Sequence, residues 1–147
     1  MGHSMVKDVM SAWMHWVPPE MLLDDAITRL RILRVSHLFV GTPDKLMGVL
    51  SEREVQRAVG PALAADNQAE YEQLVNGFTV EEIMERDGVC VELDATATEA
   101  VQLMRDNNTY VVPVLDGCVV VGQVTQREVV PVGDDAPKMP YAPALAA

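Results

Sequence analysis

GVLSEREV (residues 48–55) and GQVTQREV (residues 122–129) carry Gly, Arg, Glu and Val at the same four positions. The two stretches lie 74 residues apart, the difference between 122 and 48, and this shift aligns ten pairs of identical residues without a gap. The matches begin with Val6 and Val80. A single shift that holds over this length indicates a duplicated structural unit. The chain is therefore predicted to contain two copies of one fold unit.

Each copy is predicted to fold as strand, helix, strand, strand, helix. In the second copy, Thr96 and Glu99 form a capping-box signature ahead of apolar residues at helical spacing. The equivalent helix of the first copy is expected from about residue 23 to 30. Ser51 and Thr125 follow the last strand of each copy and are predicted N-caps of the final helices, because a hydroxyl accepts from the amides that open a helix.

Paired apolar runs predict a β-hairpin in each copy, and in the second copy the runs flank the turn signal Asp116-Gly117. The hairpin strands are expected at residues 37–40, 46–50, 111–115 and 119–124, with a further strand near Val17 and near Val91. Gly60 and Pro61 are predicted to end the last helix of the first copy. An additional helical segment is expected from residue 62 to 75.

The charge balance argues against nucleic acid and anionic membrane as partners. The chain has 11 Lys and Arg against 22 Asp and Glu, a formal net charge of −11, and such a surface repels polyanions. No apolar run reaches the roughly 18 residues of a membrane span, and no hydrophobic leader opens the chain. Cys90 and Cys118 form no CxxC pattern, which is typical of the reducing cytoplasm, where we expect the protein to reside.

The common catalytic motifs are absent from the sequence. It contains no GxxxxGK, GxGxxG, GxSxG or HExxH pattern. His3, His15 and His37 have no metal-ligand spacing with the cysteines. We therefore expect a protein that is not an enzyme and that has no catalytic residues, no metal and no required cofactor.

The order and duplication of these segments resemble a tandem pair of CBS domains, the regulatory module named after cystathionine beta-synthase. The resemblance covers Val6 to about Val130, and three pairs of segments carry it. These are the entry segments VKDVM (6–10) and VEEIM (80–84), the strands VSHLFV (35–40) and TYVVPV (109–114), and the junctions GVLSERE and GQVTQRE. The resemblance implies an α/β (α+β) fold of two β-α-β-β-α repeats related by a pseudo-twofold axis, a Bateman-type module.

This resemblance also gives the expected domain boundaries. Residues 1–5 are interpreted as a tag remnant with an initiator methionine, 6–60 as the first CBS repeat, 61–79 as a helical linker, 80–131 as the second repeat and 132–147 as a flexible tail. The resemblance implies two clefts between the repeats that bind adenosine-containing ligands. It implies regulation rather than catalysis.

The family pattern implies which residues line these clefts. One cleft is expected to use Met10, Trp13, Val35, Ser36, His37, Thr125 and Glu128, with Arg127 nearby. The mirror cleft is expected to use Met84, Asp87, Thr109, Tyr110, Val111, Ser51 and Glu54, with Arg53 nearby. The first is favoured because His37 suits a phosphate contact, whereas Val111 neither donates a hydrogen bond nor balances charge.

Several of these residues have a second interpretation that is purely structural. His37 is equally well explained as a partly buried histidine satisfied by backbone groups. Trp13, His15 and Trp16 either frame an adenine by stacking or, for Trp16 above all, belong to the core or to a dimer surface. Arg53 and Arg127 are alternatively exposed helix residues that pair with acids.

The sequence departs from the family pattern at one position in each repeat. Related modules place an Asp for the ribose hydroxyls three residues after the Ser or Thr that opens the last helix, where this chain has Glu54 and Glu128. A charge-assisted hydrogen bond contributes about 1.5–3 kcal/mol, so poor ribose geometry is expected to weaken binding roughly 10- to 100-fold.

The leading functional prediction is a stand-alone sensor that binds AMP, ADP, ATP or S-adenosylmethionine as its regulatory ligand. It is expected to form a homodimer and to signal to an effector protein in trans. The alternative is a ligand-free dimerisation scaffold whose clefts were lost through Glu54, Glu128 and Val111. A small enzyme acting on nucleotides is a third, less favoured hypothesis.

Overall fold

Residues 4–86 and 88–126 are described by a computed structural model of the protein. Two three-stranded sheets, with strand orders β1-β2-β3 and β4-β5-β6, and six helices occupy this part of the chain. In chain order the elements are α1 (Val6–Val9), β1 (Trp16–Val17), α2 (Leu23–Leu33), β2 (His37–Thr42), β3 (Lys45–Ser51), α3 (Glu52–Ala64), α4 (Gln68–Gly77), α5 (Val80–Ile83), β4 (Val91–Glu92), α6 (Ala97–Asp106), β5 (Val111–Asp116) and β6 (Val119–Thr125). The predicted α+β class with two repeats is confirmed.

The predicted elements form because their local signals agree with burial. Thr96 caps α6 by accepting from the amide of Glu99, and Ala100 and Met104 on the predicted apolar stripe are buried. β1 pairs in parallel with β2 and β4 with β5, whereas β5 and β6 form the expected antiparallel hairpin. The hairpin strands extend one or two residues beyond their predicted ends. The final helix expected after Thr125 lies outside the described residues.

The expected helix end at Gly60 and Pro61 is wrong. α3 continues through both residues to Ala64. Val59 and Ala62 on either side of this pair are both buried, and their burial offsets the amide hydrogen bond that a proline removes. The helical segment expected from residue 62 to 75 is accordingly divided by a turn, in which Asp66 adopts a left-handed conformation, before α4 begins.

The described residues divide into two compact units. Residues 15–42 and 46–86 form one, named here the β1–β3 unit, and residues 4–14, 43–45 and 88–126 form the other, the β4–β6 unit. α1, from the first sequence repeat, thus belongs to the unit of the second sheet, and α5 belongs to the unit of the first sheet. The two repeats have exchanged their entry segments.

The exchange is made by matching hydrogen bonds in the two units. In the β4–β6 unit the Ser11 amide donates to the Gln123 carbonyl at 2.8 Å, and in the β1–β3 unit the Glu85 amide donates to the Val49 carbonyl at 2.9 Å. Both bonds belong to antiparallel bridges, in which the residue directly after an entry segment pairs with a strand of the sheet. Ser4, within the expected tag remnant, accepts from the Ala97 amide at 2.7 Å.

Each unit has its own hydrophobic core, to which the exchanged segment contributes. In the β1–β3 unit Val80 and Met84 of the entry segment join the cluster formed by α2, α3 and the sheet. In the β4–β6 unit Val6 joins a smaller cluster between α6 and the sheet. The entry segment is therefore part of each core.

Candidate functional site

The start of α3 is closed by a capping box in the β1–β3 unit. The Ser51 amide and hydroxyl donate to Oε1 of Glu54 at 2.8 and 2.6 Å. The Arg53 amide donates to the Ser51 hydroxyl oxygen at 3.3 Å. A glutamate at this helix position has the length to reach back to the N-cap. The carboxylate expected to contact a ribose is thus held by its own helix, and Ser51 is confirmed as an N-cap.

The residue before the first strand of the hairpin supplies a further partner to this helix end. The Glu52 amide donates to the Ser36 carbonyl at 3.1 Å, immediately before β2. Together with the capping box, this bond gives the amides of Ser51, Glu52 and Arg53 partners within the protein. An α-helix begins with four amides that lack helical partners, and these amides are the usual anion ligands. The α3 end therefore offers few donors to a phosphate.

Glu52 is the most unusual polar residue of this region. Its side chain is only 2% exposed, and its Oε2 atom has no hydrogen-bond partner in the part of the chain that the structure describes. Burial raises the pKa of the Glu52 carboxyl from 4.5 to about 7, because the low-dielectric interior disfavours the charged form. No signal in the sequence distinguishes Glu52, since an acid at the first position of a helix normally faces water and stabilises the helix dipole.

The ring of Phe39 packs against His37 in the same unit. His37 is buried and meets the ring of Phe39 edge-on at a centroid distance of 5.2 Å. The ring of Trp16 also packs against Phe39, at a centroid distance of 5.4 Å. Trp16 is half-buried in this unit, whereas Trp13, in the β4–β6 unit, is 78% exposed and its backbone carbonyl accepts from the Gln123 side chain.

The β4–β6 unit repeats the backbone geometry of this region. The Gln126 amide donates to the Tyr110 carbonyl at 3.1 Å, in the same way that Glu52 bonds Ser36. Val111 pairs with Thr125 across the hairpin. The repeat shift of 74 residues places Gln126 at the position of Glu52, so the two units differ here by one charge.

The predicted site residues are distributed over both units. The β1–β3 unit contains Val35, Ser36, His37, Ser51, Arg53, Glu54 and Met84, and the β4–β6 unit contains Met10, Trp13, Thr109, Tyr110, Val111 and Thr125. Asp87, Arg127 and Glu128 lie outside the described residues. Within each unit the structure brings together the residues that precede the hairpin and the residues that follow it.

Entry-segment methionines of the predicted site lie beside a glycine in each unit. A β-carbon added to Gly48 would stand 2.8 Å from Met84 Sδ, and one added to Gly122 would stand 2.7 Å from Met10 Sδ. These distances are shorter than van der Waals contact, so only glycine allows the entry segment to approach the strand. Met84 and Met10 thus occupy equivalent positions in the two units.

Residues 4–86 and 88–126 contain neither a cluster of metal ligands nor a membrane-spanning helix. This part of the chain contains no group of three or more His, Cys, Asp or Glu side chains arranged to hold a metal ion. None of its helices has both the length and the apolar character needed to cross a bilayer.

Several solved structures of other proteins have the same fold as this chain. The CBS-domain containing protein ATU1752 from Agrobacterium tumefaciens is 19% identical, with a TM-score of 0.73 over 88% of this chain and 92% of that one. CBSX2, solved in complex with AMP, is 24% identical, with a TM-score of 0.70 over 86% and 93%. An uncharacterized conserved protein from Pyrococcus horikoshii is 16% identical, with a TM-score of 0.73 over 95% and 98%.

A search of curated proteins found no match to this sequence. The family model of the CBS domain, however, matches the sequence twice, over residues 6–60 and 80–133. These two matches cover more than half of the chain and follow the duplication seen in both sequence and structure. The chain therefore belongs to the CBS domain family and contains two CBS repeats in tandem.

Proposed function

We propose that this CBS pair is a regulatory module that binds an adenosine-containing ligand and signals to another protein whether the ligand is bound. The observation that carries the proposal is the duplicated junction, in which the residue before β2 or β5 bonds the first amide that follows the hairpin. Family membership supports a regulatory role, and the structural relative CBSX2 was solved with AMP. The module acts as a sensor without catalysis.

The ligand contacts proposed for this chain follow the sequence prediction. One cleft uses His37 with Thr125 and Glu128, and the mirror cleft uses Ser51 and Glu54 with Val111. Glu54 must share or give up the hydrogen bonds from Ser51 in order to contact a ribose. Since such bonds contribute about 1.5–3 kcal/mol when a charge is involved, the mirror cleft is the weaker of the two.

A thermal-shift series tests this proposal directly. The protein is melted with adenosine, AMP, ADP, ATP or S-adenosylmethionine, and with GMP as the control for the base. A ligand at 100 times its Kd stabilises the folded state by about 2.7 kcal/mol, and at this chain length each kcal/mol raises Tm by roughly 2–4 °C. Absence of a shift with every adenosine compound, in a protein that melts cooperatively, would contradict it.

A double substitution tests which residues make the cleft. Thr125→Ala with Glu128→Ala is expected to weaken ligand binding and, because Thr125 is a predicted N-cap, to destabilise the free protein by only about 1 kcal/mol. Isothermal titration calorimetry gives the affinity. Unaltered affinity in this variant would remove Thr125 and Glu128 from the site.

The second candidate function is a ligand-free dimerisation scaffold, and the capping box at α3 favours it because Glu54 already has partners. In both cases we propose a homodimer. Ile32 and Leu33 at the end of α2 and Leu63 near the end of α3 are exposed apolar side chains of the β1–β3 unit. Light scattering after gel filtration that gives a dimer, together with no thermal shift from any nucleotide, would favour the scaffold. A monomer at micromolar concentration would contradict the homodimer proposed for the sensor and for the scaffold.

A further inference from the structure

The equivalent helices α2 and α6 end with the same backbone geometry. Arg34 adopts a left-handed conformation after α2, with φ 57°, and Asn108 does so after α6, with φ 51°. The amide of each donates to the carbonyl three residues earlier, at 3.3 Å in both helices. The side chains at these two ends are therefore comparable position by position.

The end of α6 has the side chains of an ordinary solvated helix terminus. Asp106, Asn107 and Asn108 are all exposed and polar. Asp106 accepts from the Gln102 side chain at 2.8 Å, and the Asn107 side chain donates to the Leu103 carbonyl at 2.9 Å. Asparagine also suits the left-handed conformation, because its short polar side chain forms local hydrogen bonds. Polar residues thus satisfy this backbone geometry.

The α2 end departs from this pattern. It is defined here by five exposed residues: Arg29, Arg31, Ile32, Leu33 and Arg34. Ile32 and Leu33 stand where α6 has an aspartate and an asparagine, and they are 73% and 36% exposed. Arg34 stands where α6 has its left-handed asparagine, and this conformation is less favourable for arginine. The backbone geometry therefore gives no reason for these three side chains.

The α2 end is also a local excess of positive charge on an acidic chain. It holds three of the 11 Lys and Arg residues, although the chain has a net charge of −11. Arg31 has a structural explanation, since α6 carries Arg105 at the same position and a cation stabilises the end of a helix. Arg29 and Arg34 have no such counterpart, and neither forms an ion pair with a described residue.

Cationic side chains around exposed apolar ones are complementary to a surface that carries acids and an apolar group. Arginine is enriched where proteins bind each other, and opposite charges across an interface determine which partner binds. A symmetric dimer centred on the α2 end would instead place the arginines of the two copies against each other, and like charges repel. The charge of the α2 end therefore favours a partner of different sequence.

We propose that the α2 end is a docking surface for an acidic segment of another protein, in which Asp or Glu residues flank an apolar side chain. The apolar side chain packs on Ile32 and Leu33, and the acids pair with Arg29 and Arg34. The proposal rests on the proposed function in one respect, since this partner is taken to be the protein that the module regulates. The polar end of α6 offers no equivalent surface.

Selection of a random peptide library on the nucleotide-free protein tests the proposal. The selected peptides are expected to be enriched in Asp and Glu beside an apolar residue. A synthetic peptide of the selected sequence, titrated by fluorescence anisotropy, should bind roughly tenfold more weakly to a triple variant that copies the α6 end, namely Ile32→Asp, Leu33→Asn and Arg34→Asn. Because α6 ends in this way on the same backbone, the triple variant should melt as cooperatively as the wild type.

A pair of charge variants separates the α2 end from the total charge of the chain. Arg29→Gln with Arg34→Gln should weaken peptide binding, and the loss should be smaller at high ionic strength, because salt screens the ion pairs that the variant lacks. Arg57→Gln with Arg105→Gln removes the same charge from exposed positions elsewhere and should leave the peptide affinity unchanged.

Several outcomes would overturn the proposal. These are selected peptides without acids, unaltered binding by the triple variant, and equal weakening by the control pair. Binding of the wild type but not of the triple variant to phosphatidylserine vesicles would assign the α2 end to a membrane instead, and a change of oligomeric state in the triple variant would assign it to a second copy. A missing thermal shift with adenosine compounds would overturn the proposed function alone, because the peptide is titrated without nucleotide.

Discussion

At the scale of single residues, two neighbouring glutamates at the start of α3 have opposite environments. Glu54 accepts two hydrogen bonds from Ser51, whereas one oxygen of the buried Glu52 has no partner among the described residues. The sequence predicted the capping box of Thr96 and Glu99, whereas at the similar pattern of Ser51 and Glu54 it predicted only the N-cap and assigned the glutamate to a ribose contact. Nothing in the local sequence distinguishes Glu52 from an exposed acid, because its burial depends on residues that are distant along the chain.

Glu52 is expected to make stability fall as pH rises. In the unfolded chain its carboxyl ionises near its ordinary pKa of 4.5, whereas in the folded protein it holds its proton up to a pKa of about 7. The folded state therefore binds more protons in this interval, and its free energy of unfolding decreases between about pH 4.5 and 7, by up to about 3 kcal/mol for this group. Denaturant titrations should show Glu52→Gln to be more stable than the wild type at pH 8 and similar at pH 5.

The contribution of Glu52 is isolated by the difference between wild type and variant at each pH. Glu72→Gln serves as the exposed control and should follow the wild-type profile. A Glu52→Gln protein that is less stable than the wild type at pH 8 would show that the carboxylate has a stabilising partner.

Glu54→Asp is expected to weaken the capping of α3 and to strengthen ligand binding. The shorter side chain no longer reaches the Ser51 amide, so the free energy of unfolding should decrease by about 1 kcal/mol. The same change restores the acid of the family pattern, and adenosine-ligand affinity should rise roughly tenfold. Glu82→Asp makes the equivalent change in the capping box of α5 and should lose stability without a gain in affinity. A lower adenosine-ligand affinity in Glu54→Asp would refute the assignment of residue 54 to the ribose contact.

At the scale of elements, the decisive feature is the close approach of an entry segment to the strand that it extends. The approach occurs at Gly48 and Gly122, which the repeat alignment pairs. The sequence pattern located both glycines and both entry segments. It did not reveal that each entry segment lies on the sheet of the other repeat, because such pairing depends on contacts across more than 30 residues of chain.

Gly48→Ala and Gly122→Ala are each expected to destabilise the protein. The new β-carbon would stand 2.6 Å from the Glu85 carbonyl oxygen in the first case and 2.9 Å from the Ser11 carbonyl oxygen in the second. Backbone atoms cannot move aside as a flexible side chain does, and overpacking of this kind costs typically 1–3 kcal/mol. Gly77→Ala, whose β-carbon would meet nothing within 4 Å, is the control and should melt near the wild type. Wild-type stability of both Gly48→Ala and Gly122→Ala would contradict the observed packing.

At the scale of the whole molecule, the sequence repeat and the compact unit are different divisions of the chain. A single repeat ends before the entry segment that completes its sheet and contributes to its core, such as Val80 and Met84 for the first sheet. Exchange of these segments ties the folding of each unit to the presence of the other repeat. The family fold is thus a property of the tandem pair.

Isolated repeats are accordingly expected not to fold. A fragment of residues 1–65 and a fragment of residues 67–147 should each lack cooperative unfolding when monitored by circular dichroism, because each lacks an entry segment that is buried in the intact protein. When mixed, the two fragments should regain a cooperative transition. A cooperative melt by either fragment alone would show that the exchanged segments are dispensable.

The sequence by itself determined the duplication, the hairpins, the capped helices and the family, because these features depend on short-range periodicity, turn chemistry and capping, which neighbouring residues encode. It also identified the residues on either side of each hairpin as candidates for a site. Only the tertiary structure decided the exchange of the entry segments, the continuation of α3 through Pro61 and the burial of Glu52. Each of these depends on apolar burial and backbone pairing between residues far apart in the chain, and the free energy of such contacts overrides the local preference of a proline or an acid.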